Sequence, residues 1–214
     1  EQRRNCVDAA QKEQLRVVAN SHWTFVREER ASYHYRRHQA IAAGEDFLSL
    51  IIDGADQAAY GLPHFIEKDK DSASAQKLPV YLMGALAHGL GCYAYSYINN
   101  VKHGTNIVIE CLHRIFCHLL TTKSGRLPRV LFLQLDNTCK QNKNKYMIGY
   151  LACMVQWHVF SQVYMSFLPV GHTHEDVDQY FSKIAGHLRT NDAFDRNDIV
   201  NAASHFHPIF FATP

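Results

Sequence analysis

The stretch RVLFLQLD, residues 129–136, is a nearly continuous apolar run that ends in an acid. Runs of this length without strict alternation are typical of strands that are buried on both faces of a sheet. After a polar turn, the segment NKNKYMIGYLACMVQWHVF, residues 142–160, has the pattern of a helix. A buried strand followed directly by a helix predicts a layered α/β domain.

Four further segments predict the other strands of the sheet. FLSLIID (47–53) is a second apolar run that ends in an acid, and QVYMSFLPV (162–170) resembles a central strand. LPVYLMGALAH (78–88) and CYAYSYIN (92–99) flank a Gly-Leu-Gly turn, which favours an antiparallel pair. The first three strands can therefore form an antiparallel meander, and the last two are reached through helices.

The remaining segments predict helices around this sheet. Residues 9–43 contain no Gly or Pro and favour one or two helices, and residues 104–122 follow a cap candidate, Thr105 or Asn106. Residues 173–190 form another helical pattern, with Thr173 as its cap. We expect an α/β fold with a mixed five-stranded sheet.

Bulk composition gives little information about function. The chain has 214 residues and a net charge of +2, which by itself indicates neither nucleic acid nor membrane as a partner. No apolar run reaches the length of a membrane span, and the six cysteines form no CxxC pair. We expect no membrane association, and we expect the cysteines to be free thiols.

The acids fall at positions that the predicted topology brings together. Asp53 ends the first strand, Asp136 ends the fourth, and Glu175, Asp176 and Asp178 lie at the start of the last long helix. Converging carboxylates need a compensating charge, because like charges at close range cannot all ionise cheaply. Two divalent cations supply that charge, and carboxylate oxygens favour Mg²⁺ or Mn²⁺.

Helical spacing favours Asp178 as the third acid. Val177, Phe181 and Ile184 form the core stripe of the helix, and Asp178 lies beside that stripe. Glu175 and Asp176 stay open as alternative metal ligands. The structural alternative is that all three stabilise the helix dipole from the first turn.

Three motifs resemble known proteins. LIIDG (50–54), LQLDNTCKQNK (133–143) and HTHEDVDQYFS (172–182) resemble the acid-bearing segments of ribonuclease H-like DDE/DDD transposases and integrases. The longer segments IIDGADQ (51–57) with LPHF (62–65), LQLDNTCKQNKNKY (133–146) and FLPVGHTHEDVDQYFS (167–182) resemble more closely an uncharacterised domain family that is carried by transposon-like proteins. The acids occur in order at positions 53, 136 and 178, so the resemblance covers residues 45–190.

This resemblance implies a ribonuclease H-like catalytic domain over residues 45–190, with an N-terminal helical extension (1–44) and a C-terminal helix and tail (191–214). It implies a polynucleotidyl transferase or nuclease that cleaves or transfers DNA strands with two Mg²⁺ or Mn²⁺ ions. Asp53, Asp136 and Asp178 would be the catalytic metal ligands. The resemblance further implies a nuclear location and a homo-oligomer when active.

Basic and amide side chains supply candidate DNA contacts. Arginine and lysine bind phosphate, although a solvated helix or turn accounts for these residues equally well. The candidates are Asn137, Lys140, Lys143, Lys145, Arg27, Arg30, Arg36 and Arg37.

Two other functions remain open from the sequence. His172, His174 and Asp176 form a His-x-His-x-Asp pattern that resembles the zinc site of metallo-β-lactamase-like hydrolases. In the transposase interpretation, His172 and His174 would instead orient a carboxylate or shuttle a proton near the metal ions. The other possibility is a domesticated transposase that has lost catalysis and serves as a DNA- or protein-binding module.

Overall fold

The computed structural model describes residues 8–67, 76–123, 125–167 and 176–206. The strands in these ranges are β1 (Phe47–Gly54), β2 (Val80–Ala87), β3 (Gly91–Ile98), β4 (Val130–Leu135) and β5 (Gln162–Phe167). The α-helices are α1 (Ala9–Ala42), α2 (Thr105–Thr122), α3 (Lys145–Gln156), α4 (Asp176–Leu188) and α5 (Arg196–Ser204). A short 3-10 helix covers Gln57–Ala59.

The five strands form one mixed sheet in the order β3-β2-β1-β4-β5. Strands β1, β2 and β3 pair antiparallel, whereas β4 pairs parallel with both β1 and β5. This arrangement confirms the predicted α/β class, the antiparallel meander and the two parallel strands reached through helices. None of the described helices is both long and apolar enough to cross a membrane.

Alternate residues of the strands face two separate cores. On one face, Leu50 and Ile52 of β1 pack in a cluster with side chains of α2 and α3. On the other face, Ile51 packs with Tyr33 of α1 and with apolar residues of α4 and α5. Since side chains alternate along a strand, Asp53 shares the face of Ile51 and lies on the side of α1 and α4.

Helix boundaries differ from the sequence predictions in two places. The N-cap of α2 is Gly104, without a side-chain cap, and the Thr105 hydroxyl donates instead to the carbonyl oxygen of Lys140 at 3.1 Å. Helix α3 begins at Lys145 rather than at 142, because the Asn144 side chain accepts from the backbone N–H groups of the first turn. The predicted cap Thr173 lies outside the described residues.

Helix α4 approaches the sheet most closely at Gly84 of β2. A Cβ atom on Gly84 would lie 2.5 Å from Cε1 of Phe181 and 3.4 Å from Cγ2 of Val177. Both of those side chains are buried, and so is Ile184, which confirms the predicted core stripe of this helix. The absence of a side chain at Gly84 therefore sets how close α4 can lie to β1 and β2.

We expect Gly84→Ala to destabilise the protein by about 1–3 kcal/mol, because the added methyl group overpacks against the Phe181 ring. The variant Gly84→Ala/Phe181→Leu should recover part of this loss. Urea unfolding measures both effects. The control is Gly149→Ala in α3, where nothing lies within 4 Å of the added Cβ and a gain of about 0.5–1 kcal/mol is expected. An unchanged free energy of unfolding in Gly84→Ala would contradict the close approach.

Candidate active site

The two strand-end acids lie at the same edge of the sheet. Strands β1 and β4 pair parallel, and the last pair in register is Ile52 with Leu135. Asp53 and Asp136 are the next residue on each strand, so their positions are adjacent, as the sequence predicted. Both side chains are half-buried.

Helix α4 brings Asp178 to this edge. Val177 packs over Gly84, and Gly84 is the residue of β2 that pairs with Asp53. Asp178 follows Val177 in the first turn of the helix and is half-buried. The contact between α4 and β2 thus holds the third acid beside the first.

The electrostatics of Asp53 indicate that the three carboxyl groups interact. Burial, together with the smaller effect of the negative charges of Asp136 and Asp178, raises the pKa of Asp53 to about 6. A hydrogen bond from the Gly54 N–H to Oδ1 at 2.7 Å acts in the opposite direction. A carboxyl pKa near neutrality is typical of a site that is built to bind a proton or a cation.

Asp136 accepts several hydrogen bonds from the turn that follows it. Its oxygens accept from the Thr138 backbone N–H at 3.2 Å, from the Thr138 hydroxyl and from Nδ2 of Asn142. Asn142 is 3 % exposed, and its own Oδ1 has no hydrogen-bond partner. A buried oxygen without a partner next to a carboxylate fits a site that an ion or a water completes. The sequence interpretation missed Asn142, although the Asx-rich turn NTCKQN contains it.

The oxygen-rich donor set fits Mg²⁺ or Mn²⁺. In the described ranges, however, no three His, Cys, Asp or Glu side chains lie close enough to hold an ion at one point. The carboxylates repel one another, and Asp136 is turned towards Thr138 and Asn142. Its hydrogen bonds would have to rearrange for the three acids to share a ligand.

Asp176 is bound by the N-terminal helix instead. Its Oδ2 accepts a hydrogen bond from Nη1 of Arg37 at 2.8 Å and another from the Tyr33 hydroxyl at 3.3 Å. Asp176 is not among the charges that raise the pKa of Asp53. The structure therefore favours Asp178 over Asp176 as the acid of α4 that acts with the strand-end pair.

A buried histidine extends this contact into the sheet. His88 Nε2 lies 3.0 Å from the Tyr33 hydroxyl and 3.4 Å from Asp176 Oδ2, and its Nδ1 lies 2.9 Å from the Ser49 hydroxyl. Burial lowers the pKa of His88, which favours the neutral ring. This hydrogen-bond network joins α1, β1 and α4, so α1 helps to fix the start of the helix that carries Asp178.

The structure divides the candidate DNA contacts into two groups. Arg36 and Arg37 are partly buried and bind within the chain: Arg36 donates to the Ser166 hydroxyl, and Arg37 binds Asp176. The exposed candidates are Arg27, Arg30, Lys140, Lys143 and Lys145, and Asn137 is half-buried. Lys143 donates to Asn137 Oδ1 at 3.3 Å, next to Asp136.

Three predicted site residues lie outside the described part of the chain. They are His172, His174 and Glu175. Their predicted roles in metal binding, proton transfer or a zinc site stay predictions.

The sequence also matches a known domain family. The sequence profile of a domain of unknown function, DUF7869, matches residues 70–209. The chain belongs to the DUF7869 family. No curated protein matches the chain.

The DUF7869 match contains Asp136 and Asp178 but begins after β1 and Asp53. Strand β1 is nevertheless the middle strand of the sheet and pairs with both β2 and β4. The folded unit, and the acid cluster with it, thus extends beyond the matched range on the N-terminal side.

We expect Asp53→Asn to change how stability depends on pH. The folded-state pKa lies above the ordinary value, so the folded protein holds this proton more tightly than the unfolded chain. The contribution of Asp53 to stability is present below about pH 4 and is lost as pH rises through about 6.

Asn at position 53 cannot ionise and so does not lose this contribution. Between pH 4 and pH 7, the free energy of unfolding of the variant should therefore rise by on the order of 1–3 kcal/mol relative to that of the wild type. Urea unfolding in EDTA at several pH values measures the difference. The exposed acid Glu67, changed to Gln, is the control and should follow the wild type. Parallel pH profiles for Asp53→Asn and the wild type would rule out the raised pKa.

We also expect Arg37→Ala to destabilise the protein by about 1–2 kcal/mol, because Asp176 loses a charged hydrogen-bond donor. A double-mutant cycle with Asp176→Asn should give a coupling of at least about 0.5 kcal/mol. The exposed Arg27→Ala is the control and should change stability by less than about 0.5 kcal/mol. Additive effects of the Arg37 and Asp176 changes would show that the ion pair does not hold α4.

Proposed function

We propose that this chain is a metal-dependent nuclease domain of the DDE/DDD transposase type, which cleaves or transfers phosphodiester bonds of DNA. The observation that carries the proposal is the cluster of Asp53, Asp136 and Asp178 at one edge of the sheet, where the latter two charges raise the pKa of the first. Mutual repulsion of this kind costs stability, and a bound cation relieves it.

The topology supports a ribonuclease H-like interpretation. The strand order is β3-β2-β1-β4-β5, with three antiparallel strands and two parallel ones reached through helices, which is the arrangement that the order of elements in the sequence predicted. Asp53 and Asp136 lie at the ends of two adjacent parallel strands, and Asp178 lies in the first turn of a helix that packs on β2 and β1. Three separate elements therefore supply one acid each.

In this proposal, Asp53, Asp136 and Asp178 hold the divalent cations, with Asn142 Oδ1 as a further oxygen next to Asp136. Bound Mg²⁺ or Mn²⁺ supplies Lewis-acid stabilisation of the charge that develops on the phosphate oxygens. The chain's own residues orient the site: Thr138 and Asn142 hold the Asp136 carboxylate, and Arg37 holds the start of α4. Because a proton on Asp53 competes with the cation, the near-neutral pKa of Asp53 implies that cation binding weakens as pH falls below about 6.

DNA is the proposed substrate because exposed cations flank the acids. Lys140 and Lys143 lie in the turn that follows Asp136, and Lys145 begins the next helix. Their charges would offset the repulsion between phosphates and the carboxylate cluster.

The zinc hydrolase is less well supported. A zinc site on the His-x-His-x-Asp pattern would use Asp176, and Oδ2 of that residue is already bound by Arg37 and Tyr33.

Cleavage of labelled DNA in Mg²⁺ or Mn²⁺ tests the proposal. We expect Asp53→Asn, Asp136→Asn and Asp178→Asn each to lower the rate at least about a hundredfold, because each removes a charged ligand that stabilises the transition state. Glu67→Gln and Asp176→Asn serve as controls for an exposed acid and for the neighbouring acid of α4. Glu67→Gln should keep full activity, and Asp176→Asn should keep more activity than Asp178→Asn.

Three results would contradict the proposed nuclease. Cleavage that survives Asp136→Asn would exclude the acid cluster as its site. DNA binding without cleavage by the wild type would instead point to the domesticated binding module, and loss of cleavage in His172→Ala/His174→Ala with zinc bound would point to the zinc hydrolase.

A further inference from the structure

A groove runs along the sheet between α1 and the edge strand β5. It encloses about 360 Å³ and lies on the face that also carries the acids. Its floor is formed by side chains of β1, β4 and β5, and its wall by α1. The lining residues used below are Tyr35, Arg36, Gln39, Phe132, Gln162 and Tyr164.

Aromatic rings form a continuous ladder across the floor. Phe47 and Phe132 stack with centroids 5.6 Å apart and planes 6° apart, and Tyr164 follows at 5.5 Å from Phe132. The ladder is buried at its centre and open at its edge: Phe132 is 8 % exposed, whereas Tyr164 is 45 % and Tyr35 on the wall is 64 % exposed. Two large rings therefore face solvent across a cavity.

Polar groups surround these rings. The Arg36 guanidinium lies 5.6 Å from the Phe132 ring centroid and 5.8 Å from that of Tyr164. The Gln39 amide donates to the Tyr35 hydroxyl at 3.1 Å, and the Tyr164 hydroxyl donates to Gln162 Oε1 at 3.0 Å. The groove thus combines ring faces, one cation and two amide groups.

The groove and the acid cluster lie on the same face of the sheet. Phe132, Gln134 and Asp136 alternate along β4 and so share one face of the sheet. The rise of a strand puts about 13 Å between Phe132 and Asp136. The recess between them, lined by Ser49, Gln134 and Ser166 and by Tyr33 and Arg36 of α1, has room for about one water molecule. A few nucleotides of single-stranded DNA could span this distance.

We propose that the groove between α1 and β5 binds nucleobases of a single DNA strand that leaves the acid cluster. Bases stack on exposed aromatic side chains regardless of sequence, and arginine adds a cation–π or phosphate contact. The two glutamine amides can form hydrogen bonds with base edges. An apolar peptide side chain could not form these hydrogen bonds, so the amides favour a nucleobase as the ligand. This inference rests on the proposed function for its choice of ligand, but the groove itself does not depend on cleavage.

Fluorescence anisotropy of a short labelled oligothymidylate tests the inference, in EDTA so that no cleavage takes place. The whole chain is compared with Tyr164→Ala and Tyr35→Ala. Two controls are matched to them: Tyr164→Phe keeps the ring, and Trp157→Ala removes an aromatic side chain that is 67 % exposed at the end of α3, on the opposite face.

We expect Tyr164→Ala and Tyr35→Ala each to weaken binding about tenfold, the loss typical of one stacked base. Tyr164→Phe and Trp157→Ala should bind as the wild type does. The same sequence as a duplex should bind more weakly and should not distinguish Tyr164→Ala from the wild type.

Several outcomes would contradict the proposal that the groove binds nucleobases. They are a wild type that does not bind the single strand, equal affinities for Tyr164→Ala and the wild type, or an equal loss in Trp157→Ala. The two proposals separate through Asp136→Asn, which should abolish cleavage and leave single-strand binding intact. If cleavage depends on the acids but Tyr164→Ala has no effect on binding, only the groove proposal is contradicted. If binding depends on Tyr164 but no cleavage occurs, only the nuclease proposal is contradicted.

Discussion

The parallel pairing of β1 with β4 is the constraint on which the rest of the site depends. It puts Asp53 and Asp136 on adjacent strands at one edge of the sheet, and α4 adds Asp178. Burial and the two neighbouring charges then hold the pKa of Asp53 far above that of an ordinary carboxyl. A fold that keeps three acids in this arrangement gives up stability at neutral pH unless a cation is bound.

The helices around the sheet have different functions in this account. Helices α2 and α3 close the face opposite the acids with a large apolar core. On the acid side, α4 is seated over Gly84, and α1 fixes its first turn through the pair between Arg37 and Asp176. The same stretch of α1 forms the wall of the aromatic groove. The N-terminal helix is therefore part of the site and not merely an extension beside it.

The sequence predicted the strands and the strand-end acids because those signals are local. The apolar runs that end at Asp53 and Asp136 are legible without any knowledge of their partners, and the stripe of Val177 and Phe181 follows from helical spacing. Features that depend on distant contacts were missed. The Thr105 hydroxyl bonds to Lys140 rather than capping its own helix, and Asp176 binds Arg37, 139 residues away in sequence. Asn142 is significant only because its amide meets Asp136 and its oxygen is buried without a partner.

The ionisation of Asp53 tests the central claim most directly. Carboxyl carbon chemical shifts, followed by NMR as a function of pH, give its pKa with and without Mg²⁺. The account predicts a pKa of about 6 without the ion and a clear decrease when Mg²⁺ is added, since a bound cation favours the charged carboxylate. A pKa that stays the same at saturating Mg²⁺ would contradict the proposal that these three acids form a metal site.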